Sequence, residues 1–466
     1  MTRLVNVSNR VAKPRGGGNP AGGLAVGVLA ALREHGGIWF GWNGRTVKGE
    51  PTDAQLVQDG NITYATIELS ERAYDLYYNG FANTSLWPVC HYLLGYFRYE
   101  RREFDEYRRV NSLFARKLIP LLQPDDLIWV HDYPLIPLAS ELRRAGVTNP
   151  IGFFLHVPFP ALEMLRVLPV YQQLLRAMCA YDVVGFHTPR DLRCFRDALD
   201  SQGLGDGSVA DRRKTGEGTR VHADVFPIGI DVDECQQLAM QTGEQDNVRR
   251  MVNHLHGRQL LMGVDRLDYS KGLEERFQAF ARLLENYPAN RNQVSYIQIA
   301  PKTRSGVRAY VDIREALEQT AGQINGRFAD IDWVPIRYLN RAFDRTTLMA
   351  FFREASVGLV TPVRDGMNLV VKEFIAAQPM DDPGMPVLSS LAGAAHELSD
   401  AILVNPYDID GVADAIHRAL NMPAGERRER HSSMLEVLRR NDITAWRTRF
   451  IEALLQAREQ NKTAAP

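Results

Sequence analysis

Short apolar runs rich in valine and isoleucine alternate along the chain with longer amphipathic segments. Residues 4–7, 127–130, 151–155, 183–186, 260–264, 296–300, 357–360 and 402–404 are apolar almost without interruption over the length of a strand. Hydrophobicity that is continuous, not alternating, predicts strands buried on both faces. Residues 104–122, 273–287 and 307–322 instead place apolar side chains at i, i+3 and i+4, which predicts helices with one buried stripe. Strands and helices in alternation predict an α/β fold built on parallel sheets.

A chain of 466 residues exceeds what one hydrophobic core supports. The pattern also breaks: a Gly- and charge-rich stretch, 203–218, precedes FPIGID (226–231), after which a fresh series of strand and helix units begins. Two Rossmann-like domains are expected, residues 1–228 and 229–444, with a last helical pattern near 445–460 that can pack back on the first.

Ligands in open parallel sheets bind beyond the carboxyl ends of the strands, so polar residues just past the apolar runs carry most weight. RDGMNLVVKE (364–373) turns the run 357–360 into a helix. Gly366 permits close backbone approach, the first-turn amides point at an anion, and Glu373, about two turns on, reaches a ribose diol. A sugar-nucleotide diphosphate suits this turn; the plainer alternative is an ordinary turn with a solvated glutamate. The run 260–264 leads to Asp265 and RLDYSKG, which puts Arg266 and Lys271 where a helix opens. The plainer alternative is a solvated helix start, but the macrodipole disfavours cations there, so a bound anion is expected. If that anion gains charge as it leaves, fixed cations favour the transition state over the ground state.

Other strand ends add candidates. Arg10 follows the first run, and Gly22 and Gly23 open a helix after a glycine-rich loop that lacks strict G-x-G-x-x-G spacing. His131 and Asp132 follow the run 127–130, His156 follows 151–155 within HVPFP, and Arg304 follows 296–300. Asp132 suits hydrogen bonds from sugar hydroxyls, and His156 suits an anomeric centre. In the aromatic segment 77–88, Trp87 either stacks on a sugar or belongs to the core. The residues flanking the histidines supply no second or third metal ligand at useful spacing.

Composition narrows the classes. Lys plus Arg (55) balances Asp plus Glu (56) without long like-charge runs, so no footprint for nucleic acid or a membrane surface is present. Cys90, Cys179, Cys194 and Cys235 are scattered without a CxxC pair, which argues against a disulfide framework or a zinc site. With no apolar stretch of about 18 residues and no signal-like start, a soluble, cytoplasmic protein is expected.

Taken together, VSNR, AGGLAVG, YYNGFANTSLWP, IWVHDY, FFLHVPFP, RLDYSKG, IAPKTR, YLNRAFDR and RDGMNLVVKE resemble the trehalose-6-phosphate synthases, in order and over nearly the whole chain. The resemblance implies the GT-B architecture, two Rossmann-like domains whose parallel sheets face a central cleft. It implies a retaining glucosyltransferase that moves glucose from UDP-glucose to glucose 6-phosphate, giving α,α-trehalose 6-phosphate and UDP. Carried over, acceptor binding falls to Arg10, Tyr78, Trp87, Asp132 and Arg304. Donor binding falls to Gly22, Gly23, Arg266, Lys271, Phe343, Asp365, Leu369, Val370, Val371, Lys372 and Glu373, with His156 at the reaction centre. The implied chemistry is front-face attack in which the leaving phosphate helps take the acceptor proton, with Arg266 and Lys271 in place of a metal and no cofactor. Asp132 is the carboxylate that the disfavoured double displacement would use. The substrates are small molecules, and a homo-oligomer stays open. Alternatives are a glucosylglycerol-phosphate synthase using ADP-glucose and glycerol 3-phosphate, a non-catalytic sugar-phosphate sensor, and a phosphorylase-like enzyme with pyridoxal phosphate.

Overall fold

The computed structural model describes residues 3–11, 23–49, 53–204, 221–241, 246–302 and 307–464. The chain divides into two units, Met1–Pro227 together with Thr444–Pro466, and Ile228–Ile443.

The first unit is built on eight strands: β1 (Leu4–Arg10), β2 (Gly37–Val47), β3 (Gln55–Asp59), β4 (Ile62–Ser70), β5 (Leu127–His131), β6 (Ile151–Phe154), β7 (Val183–Phe186) and β8 (His222–Val225). They lie in the order β3-β4-β2-β1-β5-β6-β7-β8, and among the described residues every neighbouring pair is parallel except β3 with β4. The strand order reverses at β1, which pairs β2 on one side and β5 on the other. Loops leaving β1 and β5 therefore diverge and open a crevice between them.

The second unit carries β9 (Gln259–Val264), β10 (Val294–Ile299), β11 (Ile336–Leu339), β12 (Val357–Val360), β13 (Met385–Ser389) and β14 (Ile402–Val404), in the order β11-β10-β9-β12-β13-β14 and parallel throughout the described residues. Numbered from β9, this is the 3-2-1-4-5-6 order of a dinucleotide-binding sheet, whose switch point lies between β9 and β12.

Six strands escape the apolar-run reading, and each has a physical reason. β3 is exposed at every position, and β8 (HADV) is largely polar. β2 holds GWNG in its middle, β4 mixes apolar with polar residues, and β11 (IRYL) carries an arginine. β13 has Pro386 second, and a residue without an N–H argues against a strand inside a sheet.

The helix Ile443–Ala464 completes the core of the first unit. Phe450 stacks on Trp129 at 4.5 Å and 9°, while Trp446 lies 4.9 Å from Trp129 and edge-on to Phe154 at 5.2 Å. Two strand glycines make room for it. A Cβ at Gly152 would stand 2.6 Å from the Phe450 ring, and one at Gly185 would stand 2.9 Å from the same ring and 2.7 Å from Phe154. At the edge of this contact the buried Arg447 pairs with Glu34.

Gly152→Ala is therefore expected to overpack the seat of Phe450 and destabilise the protein by about 1–3 kcal/mol. Denaturant unfolding checks this. Adding Phe450→Leu should recover part of the loss, whereas additive losses would contradict the shared contact.

Candidate functional site

In the second unit the site is organised by a residue that the sequence reading passed over. Arg276 lies inside the helix Leu273–Asn286 and is fully buried. Its guanidinium donates to Asp265 at the end of β9 (2.6 Å), Gln298 in β10 (2.9 Å), Thr361 just past β12 (3.1 Å) and the Lys271 carbonyl (3.2 Å). One cation thus clamps the strand ends around the switch point to the turn that bears Lys271. The turn is tight enough to require glycine. Gly272 has φ +62°, and a Cβ there would come 2.5 Å from the Thr361 carbonyl.

Across the switch point, Lys271 Nζ donates to Asp365 Oδ2 at 2.6 Å, and Asn368 Nδ2 donates to the same oxygen at 3.1 Å. This corrects one inference. A bound anion is not needed to explain a lysine beside a helix start, because Asp365 already neutralises it. Arg266 is exposed at the mouth of β9, while Lys271 and Asp365 are half-buried.

Asn368 opens the helix Leu369–Ala377 from a left-handed conformation, φ +76° and ψ 92°, and its side chain accepts from the Val371 amide at 3.3 Å. The left-handed residue of this turn is Asn368, not Gly366. Gly366 instead presents its carbonyl to Gly393, where a Cβ would approach to 1.9 Å. Along the helix, Leu369 and Val370 are half-exposed, while Val371 is in the core. Lys372 is fully buried with its ammonium on Glu397 (2.6 Å) and the Ile228 carbonyl (2.9 Å), so that charge is committed within the unit. Its side chain is therefore structural, which corrects the donor role expected of it; only its backbone could serve a ligand.

Glu373 is half-buried, and burial raises its pKa while the Arg345 guanidinium opposes the rise from 3.7 Å. Arg345 also pairs with Glu234 and reaches Cys235 Sγ at 3.4 Å. Burial pushes the Cys235 thiol up to about 12, so it stays protonated. Phe343 packs edge-on to Phe351 at 5.4 Å under the Arg341 guanidinium, 4.5 Å from the ring centre.

In the first unit the polar groups gather past β1, β5 and β6. Asp132 has φ +77° and ψ 164°, a region reached almost only by glycine, at a cost of about 1–3 kcal/mol for other residues. Hydrogen bonds hold it there. Its amide donates to Phe154 O (2.8 Å), its carbonyl accepts from Leu135 (3.0 Å), and Oδ1 accepts from the His156 amide (3.1 Å). Strain of this kind persists where function needs a side chain in a fixed place.

His156 is half-exposed with its imidazole against His131, and burial lowers its pKa to about 3. Arg10 is exposed, its guanidinium 5.8 Å above Trp42. Tyr78 stacks on Tyr74 at 5.8 Å. The neighbouring Tyr77 is buried and donates to Asn9 at 2.8 Å. Trp87 is 5% exposed, stacked on His91 at 4.1 Å and packed on Tyr133 at 5.6 Å. Trp87 is therefore a core residue, the second of the two readings open for it, and any effect on a ligand is indirect. Gly22 and Arg304 lie outside the described residues, and Gly23 is the first residue of the helix Gly23–His35.

Arg276, Arg345 and Asn368 had faint sequence signals. Arg276 interrupts the apolar stripe of LEERFQAF, Arg345 closes the motif YLNRAFDR, and Asn368 sits where a helix cap is favoured. Among the described residues no helix is long and apolar enough to cross a membrane, and no group of three or more His, Cys, Asp or Glu is arranged to hold a metal ion.

Comparison with known proteins fits this geometry. A model of glycosyltransferase family 20 matches residues 15–456. The chain belongs to that family. Its two parallel-sheet domains are the GT-B architecture, and family 20 relatives match it nearly end to end. The trehalose-6-phosphate synthase of Klebsiella pneumoniae is 50% identical over 455 residues, 97% of this chain and 95% of its own. A UDP-forming alpha,alpha-trehalose-phosphate synthase from Burkholderia xenovorans, solved in complex with glucose-6-phosphate, is 50% identical with TM-score 0.92, covering 97% of this chain and 100% of its own. The E. coli protein bound with UDP-2-fluoro glucose is 48% identical with TM-score 0.90, covering 97% and 99%.

The strain at Asp132 gives a direct check. Asp132→Gly and Asp132→Ala both lose the carboxylate, but only glycine relaxes the backbone. The glycine variant should be more stable than the alanine variant by about 1–3 kcal/mol, against the usual order. Equal unfolding midpoints would show that no strain is stored there.

Proposed function

We propose that the protein is a retaining glucosyltransferase that moves glucose from UDP-glucose to glucose 6-phosphate, releasing UDP and α,α-trehalose 6-phosphate. The observation that carries this reading is the likeness, over essentially the whole chain, to relatives solved with glucose-6-phosphate and with UDP-2-fluoro glucose. The residues at both switch points suit those two ligands. On this reading the enzyme works in the cytoplasm on small diffusible substrates.

In the second unit, Lys271 and Arg266 take the diphosphate of the donor. Asp365 holds Lys271 in place beforehand, so little reorganisation is needed as charge builds on the leaving oxygen. Glu373, steadied by Arg345, takes the ribose hydroxyls, and Phe343 lines the nucleotide. Arg10, Tyr78 and Arg304 serve the phosphate and sugar of the acceptor, and Asp132 of the first unit accepts from a sugar hydroxyl. The anomeric hydroxyl of glucose 6-phosphate attacks donor C1 on the face from which UDP departs. The new C–O bond forms as the C1–O bond to phosphate breaks, and the acceptor proton passes to the leaving phosphate oxygen. Asp132 Oδ1 is engaged by the His156 amide, which supports its use as an orienting group and not as a nucleophile. Neither step requires a metal or an organic cofactor.

The defining assay follows nucleotide release from UDP-, ADP- and GDP-glucose with glucose 6-phosphate or glycerol 3-phosphate, in EDTA, with the product's configuration read by NMR. Release with UDP-glucose and glucose 6-phosphate, giving a doubly α-linked product, is expected. Preference for glycerol 3-phosphate, or loss of activity in EDTA, would overturn the corresponding part of the proposal.

Arg266→Ala should remove a charge-assisted contact worth roughly 1.5–3 kcal/mol and lower kcat by roughly ten- to a hundredfold. Arg304→Ala should raise KM for glucose 6-phosphate and leave calorimetric UDP binding intact. Unchanged kcat in the first, or weakened UDP binding in the second, would remove the role assigned.

A further inference from the structure

Behind His156 runs a chain of polar groups set into aromatic surroundings. Asn6, in the apolar strand β1, places Oδ1 3.1 Å from His131 Nε2, and His131 Nδ1 lies 3.3 Å from His156 Nε2. Asn6 and His131 are fully buried. Trp129 packs on the His131 ring at 4.8 Å, and Phe154 and Trp446 pack on the His156 ring at 4.7 and 6.2 Å. Among the described residues, the titratable groups against His156 are His131, His187 with ring centres 5.6 Å apart, and Asp132 at its backbone amide.

Burial holds both His131 and His156 well below the usual imidazole range, so both rings are neutral at physiological pH. A neutral imidazole has one donor and one acceptor nitrogen, which makes the chain directional. The Asn6 oxygen can only accept, so His131 Nε2 carries the proton and His131 Nδ1 accepts. His156 Nε2 must then donate, leaving Nδ1 as its acceptor. Among the described residues Asn6 Nδ2 is buried without a hydrogen-bond partner. An aspartate would avoid that orphan amide, but its charge would favour imidazolium on His131 and leave no acceptor for His156. An uncharged acceptor at position 6 is what the direction of the chain requires.

We propose that Asn6 and His131 are positioning residues that fix His156 as the neutral Nε2–H tautomer, so that Nδ1 is the nitrogen left to accept a hydrogen bond from a sugar hydroxyl. This rests on the reading that places His156 at the reaction centre. Its test does not depend on turnover.

In the full-length protein labelled with 15N-histidine, and with the His156 signals assigned by their loss in His156→Gln, the ring nitrogens of His156 should report Nε2 protonated and Nδ1 bare from pH 5 to 9. An Nδ1-protonated ring, an imidazolium at pH 7, or a tautomer mixture in the wild type would overturn the proposal. In His131→Leu the Nε2–H loses its acceptor. The tautomers should then mix, and kcat/KM for UDP-glucose should fall at least tenfold; an unchanged tautomer would contradict the relay. Asn6→Asp should add to the pH profile of kcat/KM an ionisation absent from the wild type, which a purely structural role for Asn6 would not do. Were the wild type to release no UDP from UDP-glucose, the proposed function would fail while the tautomer result stood on its own.

Discussion

A parallel sheet with crossovers of one hand must send its loops apart where the strand order reverses, and both units place their polar groups at such a reversal. Between β1 and β5 it collects Asn6, Arg10, His131 and Asp132; between β9 and β12 it collects Asp265, Lys271 and Asp365. The constraint comes from backbone chirality and is indifferent to chemistry. Chemistry enters through the few side chains that hold the diverging loops in register.

Those side chains are buried ions and neutral polar groups, and the distinction is instructive. Arg276 with Asp265, and Lys372 with Glu397, place full charges where desolvation is severe, and each cation is compensated by a close carboxylate and by a backbone carbonyl. Pairs of this sort add little net stability compared with apolar residues, but losing one partner costs about 3–5 kcal/mol. They restrict the turn geometries available to the loops they hold. The Asn6–His131–His156 chain does similar work without charge, and what it restricts is the position of a proton.

Much of the fold could be read from the sequence, because continuous apolar strands such as VVGF and VGLV have few other places to go. Strand ends pointed to Asp132, His156 and Lys271 as candidates, and Asp365 came only from the family resemblance. What stayed hidden depended on partners distant in sequence. Nothing near Lys271 announces that Asp365 neutralises it, and nothing near Lys372 announces Glu397. The strained backbone of Asp132 was likewise invisible, since φ above zero is set by what surrounds a residue and not by its identity. Asn6 is a polar residue in an apolar run, and its partner His131 lies on another strand, distant in sequence.

The seat of the last helix has a consequence for synthesis. Trp129, Gly152 and Gly185 all lie far upstream of Trp446 and Phe450, which fill the space beside them. A ribosome adds roughly 5–20 residues per second. The 216 residues of Ile228–Ile443 are therefore made while that aromatic seat is still open. The second unit, contiguous in sequence, can finish packing as it emerges. The first unit cannot close its core until that later helix has been made, so the domain begun first is completed after the second. In the meantime its exposed aromatic surface is what a chaperone would hold.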